Sequence, residues 1–164
     1  ILLILPSFNF FKHCQGPNNK SVKLNLTNVS VGNFRDIEVE DLTKHKTDSE
    51  EMEITQETCD IINTAKAQRN KIFAVGTTSL KALETSVTIS GQINPYKGWT
   101  NKFIFPHYDF NTADALITNF HLPKSPMMME VAAFAGYELL MKAYKIAVAE
   151  KYQFFTYGDA MLIL

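Results

Sequence analysis

Residues 71–76 read KIFAVG, and this short unbroken apolar run constrains the chain more than any other feature. An alternating strand buries one face, whereas the continuous run from Ile72 to Val75 fits a strand covered on both faces, as in sheets flanked by helices. The run passes through Gly76 into TTSLKALET, which predicts a turn, a Thr or Ser cap among Thr77 to Ser79, and a helix through Leu83. Upstream, Thr55 to Arg69 predicts a helix with Thr55 as N-cap, Cys59, Ile62 and Ala65 on one face and Asn70 as the residue just past its end. Helices alternating with strands predict an α/β fold.

Further strands are expected at Val22 to Val31, where the alternation shifts register as at a bulge, at Phe103 to Phe105 before Pro106, and at Ala113 to Thr118. YQFFTY and AMLIL read as two more, joined through Gly158 and Asp159, with Gly158 taking a positive φ. Gly91 and Pro95 to Thr100 read as loop, and the charge-dense stretch from Asp36 to Glu53 as a solvated connection. Ser125-Pro126 opens a helix that ends near Gly136; a second runs from Tyr137 to about Lys151 with Leu140, Ala143, Tyr144 and Ala147 on one stripe.

The opening run ILLILPSFNFF has no basic flank and falls short of the roughly 20 apolar residues that span a bilayer, so it reads as a buried strand or cut edge and not as a membrane segment. Starting at Ile1 without an initiator Met, the chain reads as beginning inside a longer protein. Its 164 residues fit a single domain, 1–164, with 1–21 left unassigned; 46% hydrophobic and 20% charged residues exclude a disordered chain. Cys14 and Cys59 make no disulfide framework and, with four scattered histidines, no zinc spacing, so a reducing cytoplasmic setting without a metal is expected. A net charge of -1, with Arg35 and Arg69 the only arginines, neither suggests nor excludes a nucleic-acid partner.

Four clusters could carry chemistry. Thr77, Thr78 and Ser79 at a helix start offer N–H groups and hydroxyls to an anion, ordinary capping being the plain alternative. TNFHLPKSP sets Thr118, Asn119, His121, Lys124 and Ser125 beyond a buried strand, where α/β sheets bind ligands: His121 for proton transfer, Asn119 for a hydroxyl or amide, Lys124 for a phosphate. Hydrogen bonds to the loop backbone would equally explain His121 and Asn119. In TYGDAM, Asp159 is a partly desolvated candidate base or a turn aspartate. His45 with Asp48 and Glu50 forms another acid/base set, in a segment that reads as exposed.

Taken in order, AVGTTSLKALE, GWTNKFIFPHYDF, DALITNFHLPKSPMMMEVAAFAG and YQFFTYGDAMLI resemble the S-adenosylmethionine:tRNA ribosyltransferase-isomerase family of queuosine biosynthesis, collinearly from about Val29 to Leu164. The resemblance implies a layered α/β sandwich with a mixed sheet, corresponding to the carboxy-terminal portion without the family's inserted β-barrel. It implies transfer and isomerisation of the ribosyl part of S-adenosylmethionine onto the 7-aminomethyl-7-deazaguanine wobble base of tRNA, giving epoxyqueuosine. S-adenosylmethionine is then a cosubstrate with no bound cofactor, the partner is tRNA, and the protein is a cytoplasmic monomer.

The resemblance makes His121, Asp159, Asn119 and Glu50 the catalytic candidates. The substrate-binding candidates are Thr77, Thr78, Ser79, Lys81, Thr118, Lys124, Ser125, Tyr157 and His45. Against the family pattern, SVGNF at Ser30 to Phe34 is shortened and carries Ser30 for His, Asp48 replaces a second His, Lys81 an Arg, His107 a Gly and Pro126 a Thr. An Arg-to-Lys change gives up bidentate anion binding. The second expectation is therefore a catalytically silent relative acting as a tRNA- or protein-binding module.

Overall fold

The computed structural model describes residues 2–5, 35–155 and 158–164, the first of these by backbone alone. The fold is mixed α/β, as expected, with two sheets. Six strands are described: β1 (Leu2–Leu5), β2 (Glu50–Ile54), β3 (Phe73–Val75), β4 (Tyr96–Thr100), β5 (Ala115–Asn119) and β6 (Ala160–Ile163). The helices are α1 (Gln56–Ala67), α2 (Thr77–Ser86), α3 (Pro126–Ala135) and α4 (Tyr137–Ala149). The larger sheet has the order β1-β6-β5-β3, with β3 parallel to β5 and the other pairs antiparallel; β2 and β4 form a separate antiparallel pair.

Two helices, α1 and α3, start where their caps predict. Thr55 Oγ1 accepts from Thr58 N–H at 3.3 Å and opens α1; Ser125 Oγ accepts from Met128 N–H at 3.1 Å and opens α3 with Pro126 in its first turn. Leu140, Ala143, Tyr144 and Ala147 are the buried stripe of α4. Phe120, wholly buried just past β5, packs edge-on to Tyr144 (centroids 5.3 Å apart) and against Phe154 (4.8 Å).

Several local expectations change. The strand buried on both faces is β5, which lies between β3 and β6; β3 sits at the end of its sheet and leaves Phe73 and Val75 about half exposed. The acidic stretch holds β2, because Met52 and Ile54 alternate inward while Glu51 and Glu53 face out. Its partner is Tyr96–Thr100, expected as loop, with Glu53↔Lys97 in register and paired at 3.2 Å. Residues 103–105 join no ladder; Phe103 instead packs its ring on His45 (4.8 Å) and Phe105 (5.2 Å).

YQFFTY forms no strand over residues 152–155. Arg69, with φ 58°, takes the left-handed position at the end of α1 in place of Asn70. Gly158 is required by crowding and not by a positive φ, since a Cβ there would strike the carbonyl oxygens of Gln153 and Phe154; Phe155 carries the positive φ. The strand expected at Val22 to Val31 and the shortened segment Ser30 to Phe34 lie outside the described residues, as does Tyr157. Of the opening run, residues 2–5 form β1 on β6.

Candidate functional site

A parallel pair of strands sends both following segments out of the same edge, and that edge is where α/β sheets bind ligands. The chain leaves β3 through Gly76 (φ 87°), whose N–H donates to Ile117 O at 2.7 Å, and enters α2. Gly76 is itself the N-cap and no side chain caps the helix, so the Thr or Ser cap expected among residues 77–79 is not formed. The first-turn N–H groups of α2 stay available, with the positive end of the helix dipole behind them.

Thr77 and Thr78 line a cleft whose other walls are Pro126, Met127 and Glu130 of α3, the segment from His45 to Glu50 entering β2, and Lys102 to Ile104 leaving β4. The register Glu50↔Thr100 explains the last two, since it sets the start of β2 beside the end of β4. One helical turn past Thr77, Lys81 pairs with Glu50 at 2.8 Å, both side chains largely buried. Thr85 and Thr100 meet through their hydroxyls at 3.1 Å, a second tie between α2 and the small sheet. Arg35 Nε lies 3.5 Å from Asp48.

The remaining charges differ in role. Glu84, buried in α2, accepts from Thr112 N–H (2.9 Å), Asn111 N–H (3.1 Å) and Tyr108 OH (3.2 Å), while Lys102 Nζ donates to Glu84 O (2.6 Å) and Tyr108 (3.1 Å). Burial and the Glu84 carboxylate push the Tyr108 hydroxyl well above its ordinary range, so this network anchors the loop. By contrast, His45 Nε2 and Glu130 Oε1 are buried without a hydrogen-bond partner. Glu130 is 3% exposed; burial pushes its carboxyl up to about 8, Lys81 opposing and Glu50 and Glu84 reinforcing that shift.

A second cluster closes the ends of β5 and β6. Asn119 Nδ2 donates to the carbonyls of Gly158 (3.3 Å) and Asp159 (3.2 Å). The Asp159 carboxylate accepts from Gln153 N–H at 2.7 Å and its own N–H donates to Gln153 O at 2.8 Å, closing the turn. His121 Nε2 meets Thr118 Oγ1 at 2.7 Å, and the backbone N–H of His121 donates to Tyr144 OH at 2.8 Å. Burial pushes the His121 ring down to about 4, so it is neutral at pH 7 and Tyr144, raised to about 12 by burial, stays protonated.

Of the sequence candidates, the cleft gathers His45, Glu50, Thr77, Thr78 and Lys81. It does not include His121, Asn119, Asp159, Thr118, Ser125, Ser79 or Lys124. Ser125 is spent on capping, and Lys124 is exposed in a left-handed turn (φ 64°) whose carbonyl accepts from Ile37 N–H at 2.8 Å. Sequence reasoning missed Glu130, although one acid inside MMMEVAAFA was a signal: a charge amid a buried apolar stretch needs a reason. Among the described residues no group of three or more His, Cys, Asp or Glu could hold a metal, and no helix is long and apolar enough to cross a membrane.

A family model described as queuosine biosynthesis protein matches residues 10–163. The chain is 58% identical over 136 residues to the S-adenosylmethionine:tRNA ribosyltransferase-isomerase of Flavobacterium psychrophilum, covering 83% of this chain and 39% of that one. It is 57% identical over 136 residues to the protein of the same name from Bacteroides fragilis, with the same coverage. The crystal structure of S-adenosylmethionine tRNA ribosyltransferase from Thermotoga maritima superposes with a TM-score of 0.66 at 45% identity, over 70% of this chain and 40% of that one. The chain thus spans about 39% of the length of the curated relatives it matches.

Proposed function

Because the chain belongs to the queuosine biosynthesis protein family, we propose that it carries the carboxy-terminal α/β part of an S-adenosylmethionine:tRNA ribosyltransferase-isomerase and that its cleft binds S-adenosylmethionine. The observation that carries this reading is the 2.8 Å Lys81–Glu50 pair, set between an uncapped helix start and a further buried carboxyl. S-adenosylmethionine brings a carboxylate, an ammonium, a sulfonium and a sugar diol. The first-turn N–H groups at Thr77 and Thr78 suit the carboxylate, and the acids of the cleft suit the cations.

The sulfonium acidifies the neighbouring ribose carbon, so a base held beside it starts the rearrangement. His45, with its unpartnered Nε2, and Glu50, held in place by Lys81, are the cleft groups placed to take that proton. The exocyclic amine of 7-aminomethyl-7-deazaguanine in tRNA then attacks the sugar, adenine and methionine leave, and the epoxycyclopentane ring of epoxyqueuosine remains. Lys124, exposed on its turn, would meet a tRNA phosphate. We assign His121, Asn119, Asp159, Thr118 and Ser125 to shaping the strand ends and helix start, and the protein to the cytoplasm as a monomer.

No specific observation favours a silent binding module. In the full-length protein, Glu50→Gln and Lys81→Met should each cut adenine release from S-adenosylmethionine and precursor tRNA by about 100-fold. Unchanged release in both variants overturns the reading.

A further inference from the structure

Glu130 stands in a helix otherwise built of apolar residues, between the buried Met128 and Val131, and is itself 3% exposed. Burying a carboxyl is costly unless a partner is seated against it. Its Oε1 has no hydrogen-bond partner, yet it lines the cleft that also holds Lys81 and Glu50. The charged and titratable groups acting on it are Lys81 and Glu84 from α2, Glu50 from β2 and Tyr108 from the segment after β4. Lys81 is committed to Glu50 at 2.8 Å, and Tyr108 hydrogen-bonds to Glu84 and Lys102. Neither Lys81 nor Lys102, the lysines that share the cleft, hydrogen-bonds to Glu130 Oε1.

We propose that Glu130 is a ligand-contacting carboxyl: a positively charged group of the bound S-adenosylmethionine seats against its unpartnered oxygen, and Glu130 releases its proton to solvent as that group arrives. The inference rests on the reading of the cleft given above. The balance is simple. The O–H bond of the carboxylic acid breaks, the proton goes to buffer, and the carboxylate left behind faces the sulfonium or the ammonium. Burial holds the free carboxyl up at about 8, so at pH 7 it is mostly protonated and has a proton to give.

Calorimetry of S-adenosylmethionine binding to the full-length protein at pH 7, in two buffers of different ionisation enthalpy, reads the protons released per ligand. The wild type should release close to one. Glu130→Gln, which keeps the shape of the neutral acid, should still bind and release none. In the wild type the affinity should rise between pH 6 and pH 7 by up to about tenfold, and stay flat in the variant. S-adenosylhomocysteine, which lacks the sulfonium, separates the sources: release lost with it places the sulfonium on Glu130, and release kept places the ammonium there. An equal proton count in wild type and variant, or a wild-type affinity flat from pH 6 to 7, overturns the inference and leaves the reading of the cleft intact. Absence of S-adenosylmethionine binding to the wild type overturns both.

Discussion

His121, expected from the sequence as a proton-transfer group, is engaged by the fold at both ring and backbone. Its ring lies 2.7 Å from Thr118 Oγ1, its backbone is clasped by Tyr144, and burial moves its titration from 6.5 down to about 4. Between those values the unfolded chain binds a proton that the folded chain refuses, so the contribution is fully present above about pH 6.5 and is lost as pH falls toward 4. It amounts to at most about 3 kcal/mol. Glu130 acts in the opposite sense, its raised carboxyl adding stability at low pH that is lost as pH rises through about 8. The His121 share is therefore read from the difference between wild type and His121→Gln in urea unfolding at pH 7 and pH 5: the variant should lose less stability on acidification, and an identical loss would refute the assignment.

At the scale of elements, the starts of α1 and α3 were legible and two of the strands were not. Ser125 announces α3 because a hydroxyl before Pro126 satisfies an orphan N–H, and the structure uses it so. Ser125→Ala should lower stability by about 1 kcal/mol, seen as a lower denaturant midpoint at unchanged slope; an unshifted midpoint would show the cap to be idle. Strand β2 escaped notice because Glu50, Glu51 and Glu53 swamp the Met52, Ile54 alternation, and because Glu50 turns inward only when Lys81, thirty-one residues away, meets it. Strand β4 has Gly98 at its centre and gains its identity from pairing with β2, which a local window does not see. Phe103 to Phe105 misled in the other direction, its rings being used on His45 and on each other.

Across the whole molecule, Phe120 ties β5, α4 and the segment before β6 into one core through Tyr144, Tyr152 and Phe154. Phe120→Ala should cost about 3–5 kcal/mol and lower the melting temperature accordingly; a loss under 1 kcal/mol would mean that this junction is not the core's centre. The five cleft residues found from the sequence, His45, Glu50, Thr77, Thr78 and Lys81, came through motif resemblance and helix-start chemistry. Their assembly into one place needed the parallel pairing of β3 with β5 and the register of β2 on β4, both long-range facts. Those two sheets share no ladder among the described residues, and the gap between the small sheet and α2, the helix that follows β3, is spanned by side chains such as Lys81 and Glu50, or Thr85 and Thr100. Its width is therefore adjustable one point substitution at a time, and a lineage can re-tailor what it grips while inheriting both scaffolds untouched.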